Sequence, residues 1–369
     1  MKKSLLAVAL LGAFAASAFA APSVTLYGRL DTGLVYSHYN DDAEANGFNA
    51  DTFSMDSGVS TGSRWGLTGK EDIGNAKVGF TLESGFSSDD GTSSQGGRLF
   101  GRAAQLFVTG AYGTVYAGRF ASPVSDAGDL GLLGDVSAFP NSYGIVGTQK
   151  GSTGSAYNRY DNSLAYVTPK FAGFQAEAMY SFKGDTKDAK DTGAENSGDA
   201  NRYAALGLKW KGAKAAVVLA GDYTLYGNTE YKGEQDDGYS IILGGNYDFG
   251  VAKVFAKGTY FDNQLNYLDS FKLIPDTVAL EGWGLEIGTA VPAFGGKFLA
   301  AVGYRDAKNT ENSDQKYKRW NAALGYTYAF SKRTNVYSFV GYAQEKDKSE
   351  ANKGTPSVVQ AGVGLVHKF

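Results

Sequence analysis

From Ser23 to the C terminus, apolar and polar residues alternate with a period of two, in runs of about ten residues separated by turns or loops. Successive side chains of a strand point to opposite faces, so each run predicts a strand with one apolar and one polar face. In the first, Val24, Leu26, Leu30 and Leu34 lie opposite Thr25, Arg29 and Asp31. Trp65 and Leu67 then oppose Arg64, Thr68 and Lys70, and Val78, Phe80 and Leu82 oppose Lys77, Thr81 and Glu83. Toward the C terminus the pattern is cleaner: Phe298, Ala300, Val302 and Tyr304 oppose Lys297 and Arg305, and Trp320, Ala322, Leu324, Tyr326, Tyr328 and Phe330 oppose Asn321 and Thr327.

The connections alternate too. Short ones (71–75, 110–113, 169–173, 211–214, 248–251, 291–296, 331–334) interleave with long polar ones (37–62, 87–97, 183–201, 227–237, 262–281, 306–318, 344–356). Tight turns therefore fall at one end of the sheet and long loops at the other, the organisation of an all-β, antiparallel transmembrane β-barrel of about 16 strands. A barrel of that size encloses water, so its polar face turns inward and its apolar face meets lipid. Closure leaves no sheet edge unpaired in hydrocarbon, where each unsatisfied backbone group would cost several kcal/mol. Tyr36, Phe86, Trp210, Phe249, Trp283, Trp320 and Phe330, near strand ends, suit interfacial girdles.

One segment breaks the rhythm. Residues 121–162 carry neither a strand nor a helix period, yet mix Gly128, Gly131 and Gly134 with Leu130, Leu132, Leu133, Val136, Phe139, Ile145 and Val146. Long unstructured connections in compact folds are usually functional or disordered, and the apolar content gives this one material to pack against a wall. It is expected to fold into the barrel and narrow it, as a constriction loop.

Composition restricts the setting. Lys2 and Lys3 precede the apolar run Leu5–Phe14, and Ala18-Phe19-Ala20 is a small-x-small site, so residues 1–20 read as a cleavable signal peptide and 21–369 as the exported barrel. Without Lys2 and Lys3, 33 basic residues face 38 acidic ones, a formal charge of −5 that gives no case for nucleic acid. With no cysteine, neither disulfides nor thiolate metal sites stabilise the chain.

The last strand places Val363, Leu365, His367 and Phe369 on the lipid side, and a terminal Phe at this spacing resembles the assembly signal read by the barrel-assembly machinery. The opening Val24-Thr25-Leu26-Tyr27-Gly28-Arg29-Leu30-Asp31, the block Ser63-Arg64-Trp65-Gly66-Leu67-Thr68-Gly69-Lys70-Glu71-Asp72, the run Gly113-Thr114-Val115-Tyr116-Ala117-Gly118-Arg119 and the ending His367-Lys368-Phe369 resemble the general porins of β-proteobacteria and neisseriae. That resemblance implies a homotrimer of 16-stranded barrels in the Gram-negative outer membrane, among its lipid and lipopolysaccharide. It also implies that the third external loop folds inward to make an eyelet for small ions and hydrophilic solutes.

The candidate chemistry is charge rather than catalysis. Hydrolytic barrels need a nucleophile or activated water with a base, most often His. Here the only histidines, His38 and His367, fall at opposite ends of their strands, and no Walker loop is present. The acid pairs Asp41/Asp42, Asp89/Asp90 and Asp236/Asp237 read as solvated turns rather than metal sites, and no cofactor is expected.

On the inner face, Arg29, Arg64, Lys70, Lys77, Lys253 and Lys257 supply positive charge, with Arg102, Arg119 and Arg159 where strands meet the long segment. Asp126, Asp129 and Asp135 are the loop-side acids. A basic wall opposite an acidic loop sets a field across the narrowest section, and the family resemblance implies Arg64, Arg102 and Arg159 as its basic cluster. The expected function is passive diffusion with a lean toward anions. The alternative is a substrate-selective channel for sugars or organic acids, with Phe139, Tyr143, Tyr157 and Tyr160 as binding groups.

Overall fold

The computed structural model describes residues 23–139, 143–147, 159–231, 235–265, 269–348 and 354–369. The expected signal peptide and Tyr157 lie outside them. Among the described residues the strands are β1 (Ser23–Tyr39), β2 (Asp51–Ser57), β3 (Arg64–Asp72), β4 (Ala76–Gly85), β5 (Ala103–Gly110), β6 (Gly113–Ala121), β7 (Arg159–Val167), β8 (Phe174–Ser181), β9 (Arg202–Lys211), β10 (Ala215–Leu225), β11 (Gly238–Asp248), β12 (Lys253–Gln264), β13 (Leu280–Ala293), β14 (Gly296–Asn309), β15 (Lys316–Ala329), β16 (Thr334–Asp347) and β17 (Ser357–Lys368). Successive strands from β3 to β17 pair antiparallel, β1 pairs with both β2 and β3, and β1 pairs with β17 from Arg29↔Lys368 to Tyr39↔Val358, which closes the barrel.

β2 and β3 share one position, because Thr32–His38 of β1 pair with β2 and Ser23–Arg29 with β3. The barrel therefore has 16 strand positions. The break at 58–63 wraps around Asp31 of β1. Its backbone accepts from the Gly58 amide at 2.8 Å, and its carboxylate accepts from the amides of Ser60 and Thr61 at 2.9 and 2.6 Å.

The expected alternation of faces holds. Leu206, Ile241, Leu243, Ile287, Val302 and Leu324 are exposed on the outer surface, while Arg305, Arg319, Ser240 and Glu286 on the alternate positions are buried within. An apolar surface of this extent around a closed barrel is the signature of contact with lipid.

Five expectations need correction. Residues 51–57, assigned to a polar loop, form β2, with Phe53 and Met55 exposed outward. The loop expected at 306–318 shrinks to 310–315, because β14 and β15 pair up to Lys308↔Lys316. Phe86 is not in the outer girdle; it lines an internal recess beside Arg29 and Arg64.

The inner face is also not uniformly polar. Ala205, Val218, Ala220 and Ile242 face inward and pack with Leu130, Leu132, Leu133 and Val136 of the long segment, so apolar wall occurs where loop covers it. A second such cluster joins Phe139, Tyr143 and Val146 to Tyr337, Phe339 and Val358. Ala121 ends β6 and residues 159–162 already belong to β7, so the expected loop is shorter at both ends; between those strands the 3-10 turn Leu133–Val136 is the one regular piece among the described residues.

Candidate pore constriction

Arg29 of β1 and Arg64 of β3 stand directly opposite each other in register. Like charges so placed destabilise a sheet, which marks the pair as a local exception to ordinary sheet design. Both guanidiniums donate to the Thr61 hydroxyl, at 2.8 and 2.9 Å. Thr61 is fixed by Asp31, whose carboxylate also accepts from the Tyr337 hydroxyl at 2.7 Å.

Glu83 of β4 supplies the compensating charge. It accepts from Arg102 Nε at 2.7 Å and from Tyr27 at 3.0 Å, and lies 3.7 Å from Arg64. Arg159 completes the group by donating to the Arg102 carbonyl at 2.9 Å. Arg29, Arg64, Arg102 and Arg159 border one recess of about 490 Å³, whose far side is Ser125, Asp126 and Gly128 of the long segment. Four guanidiniums thus face Glu83 and Asp126.

Arg119 belongs to a neighbouring group. It donates to the Gly101 carbonyl at 2.9 Å and to Asp161 at 2.6 Å. Arg98 also binds Asp161, at 3.1 Å, and pairs with Asp185. Arg98, Arg119 and Asp185 border a larger cavity of about 780 Å³ on the long-loop side, which shares Arg159 with the recess.

The three loop acids have separate surroundings. Asp126 lines the recess. Asp129 accepts from Gln105 of β5 at 2.6 Å, tying the base of the loop to its own strand pair. Asp135 pairs with Lys209 and Lys211 of β9. Burial alone would raise the Asp135 carboxyl, but the hydrogen bond and charge of Lys209, then those of Lys211, outweigh it and hold the group below its ordinary range.

The loop's path follows a row of inner-wall glycines. Leu132 stands over Gly207, Val136 over Gly244, Ala138 over Gly288, Phe139 over Gly325 and Val146 over Gly341; a Cβ at any of these glycines would come within 3.0 Å of the loop side chain. Polar ties complete the seat. Gln360 accepts from the Ile145 amide at 2.7 Å, Arg319 and Asn321 donate to the carbonyls of Ile145 and Val146 at 2.9 and 3.1 Å, and the Tyr143 amide donates to the Val59 carbonyl at 2.7 Å. The described loop residues thus touch the inner wall at β9, β11, β13, β15, β16 and β17.

Other expected residues fall as follows. Phe139 and Tyr143 are buried against the wall, and Tyr160 stacks on Tyr203 at 3.7 Å, so these aromatics are engaged with protein. Val363, Leu365 and Phe369 are exposed on the outer face. His38 bonds Asp51 at 3.0 Å near the long loops, and His367 bonds Thr334 at 2.9 Å near the short turns. Among the described residues no group of acids and histidines is arranged to hold a metal.

Asp31, Thr61, Glu83, Asp161 and Arg98 were not singled out from sequence, although Asp31 and Glu83 sat on predicted inward positions beside the candidate arginines.

Comparison with known proteins agrees with the barrel fold. The sequence profile described as Gram-negative porin matches residues 7–348. The chain is 36% identical to an outer membrane porin protein of Bordetella pertussis and 32% identical to outer membrane porin protein 32 of Delftia acidovorans, over 100% of each chain. Among solved structures it resembles an anion-selective porin from Comamonas acidovorans, with a TM-score of 0.68 and 27% identity over 94% of this chain and 100% of that one.

Proposed function

This chain belongs to the Gram-negative porin family and is a β-barrel channel protein of the outer membrane, and from that premise we propose that its narrowest section lies between the arginine group and residues 125–128, and that it favours small anions. The observation that carries this is the recess shared by Arg29, Arg64, Arg102 and Arg159. Guanidiniums keep their charge at any working pH, and charge rings at a constriction decide which ions enter. The acids available to oppose them are fewer, since Asp129 and Asp135 are committed to Gln105 and to Lys209 and Lys211. The solved porin from Comamonas is itself described as anion-selective. Small hydrophilic solutes would cross by passive diffusion through the same opening.

The channel is not an enzyme in this reading: His38 and His367 sit near opposite ends of their strands, too far apart to form one site. It assembles as a homotrimer among outer-membrane lipid and lipopolysaccharide, delivered by the barrel-assembly machinery, with residues 1–20 removed on export. A shift from a high band to a monomer band between unboiled and boiled detergent gels tests the trimer.

The selectivity is tested by reversal potential across a planar bilayer in a KCl gradient. Changing Arg64, Arg102 and Arg159 together to Gln should move the potential toward cation preference. An unchanged potential in a correctly assembled barrel would assign the constriction to other residues.

A further inference from the structure

The outer face of β13–β16 differs from a plain lipid-facing wall. The outward side chains of Ala300 and Ala322 are small where their neighbours Leu324 and Tyr342 are large, and they floor a shallow trough of about 600 Å³. It continues toward the short-turn end through a second depression of about 360 Å³ that shares Ala300 and Leu324. Toward the long-loop end the same strands present Tyr304, Trp320 and Tyr342, with Trp320 and Tyr342 ring centres 4.8 Å apart.

Beyond those rings comes a cluster of charge. Lys318 stands opposite Lys346, and Lys308 opposite Lys316, while the Lys348 amide bonds the Lys316 carbonyl at 3.0 Å. Facing like charges cost stability unless something between them compensates. Asp306 pairs with Lys318 and Glu281 with Lys308, but among the described residues Lys316, Lys346 and Lys348 have no carboxylate within ion-pair distance. Asp42 shares a small recess with Lys346 and Lys348, yet its carboxylate is engaged by the Thr355 amide at 2.7 Å. Lys316 is four residues beyond Trp320, about 13 Å along the strand, which carries the lysines into the headgroup layer above the aromatic girdle.

Trough, aromatic shelf and lysine cluster are thus stacked on one face, in the order in which a lipid presents chain, sugar and phosphate. We propose that this face is a specific site for a phosphorylated, acylated glycolipid of the outer leaflet. An acyl chain lies over Ala300 and Ala322, the sugar rests against Trp320 and Tyr342, and the phosphate is held by Lys316, Lys346 and Lys348. The proposal rests on the outer-membrane placement above and adds which face binds and through which groups.

The test uses the full folded chain in detergent, titrated with lipid A and separately with phosphatidylethanolamine, bound lipid being counted by native mass spectrometry. Wild type should retain lipid A preferentially. Lys316→Gln, Lys346→Gln and Lys348→Gln together should weaken lipid A binding by roughly a hundredfold, since each lysine near an anionic lipid contributes about a factor of five. Ala300→Phe with Ala322→Phe fills the trough without placing charge in lipid, and should weaken binding while leaving the lysines in place.

Equal retention of the two lipids by wild type, or wild-type lipid A affinity in either folded variant, overturns the site. Recovery of the wild-type chain outside the outer-membrane fraction would instead overturn the placement on which it rests.

Discussion

Phe369 closes the barrel on Gly28. Their backbones exchange two hydrogen bonds of 3.1 Å, and the Phe369 ring occupies the space that a Cβ at Gly28 would need. The terminal residue therefore seals the first strand to the last and also lies on the lipid side, where its ring is exposed. Deleting Phe369 removes both backbone bonds, each contributing about 1 kcal/mol, and should lower the yield of heat-modifiable barrel sharply. Barrels that do form should conduct normally. Normal surface yield with altered conductance would contradict this account.

The glycine seat makes a separate prediction. Gly207→Val with Gly244→Val puts side chains where Leu132 and Val136 now rest. Overpacking of this kind costs roughly 1–3 kcal/mol, and the loop, having no sheet pairing of its own there, is the element that yields. Single-channel conductance should rise and become noisier, while the temperature at which the barrel unfolds on detergent gels changes little. A stable, unchanged conductance would show that the wall moves instead.

Asp135 gives the loop an acid-sensitive tie. Its carboxyl is held below the ordinary value by Lys209 and Lys211, so this tie is fully present above the ordinary carboxylate pKa of about 4. It is lost as pH falls through the lowered folded value. The pair is partly exposed and contributes at most about 1 kcal/mol, enough to alter loop docking but not barrel folding. Conductance noise should therefore increase below roughly pH 4, and Asp135→Asn should show the same noise at neutral pH. A variant that is quiet at neutral pH would remove Asp135 from the loop's anchoring.

The barrel was legible in sequence because lipid on one face and water on the other impose a period of two on every strand. The path of the long segment was not. Gly207, Gly244, Gly288, Gly325 and Gly341 belong to five different strands, and only register brings them into one row.

Arg119 shows the same limit at the site. It shares a strand with residues near the recess, but its partner Asp161 lies on β7, and no spacing within either strand announces that pairing. The strand β2 was missed for a different reason. Asp51, Ser54, Asp56 and Ser57 make it look like loop, and only Phe53 and Met55, facing outward, carry the alternation.

Glu83 is the decisive residue for the selectivity argument. It is hydrogen-bonded to Arg102 at 2.7 Å and lies within ion-pair distance of Arg64 at 3.7 Å. Glu83→Gln keeps the shape and can still accept from Tyr27, but removes one negative charge from among four positive ones. If the arginines act through their summed field, the reversal potential should move further toward anions at 0.1 M salt. The gain should shrink at 1 M, because the screening length falls from about 10 Å to about 3 Å.

Breaking a dry buried ion pair would cost roughly 3–5 kcal/mol, but this recess opens to water, where opposite charges interact more weakly. The variant should therefore fold, with a lowered unfolding temperature. A shift toward cations would mean that Glu83 acts chiefly by orienting Arg64 and Arg102, which swing out of the opening once it is gone; selectivity would then depend on where the guanidiniums are held rather than on how many there are.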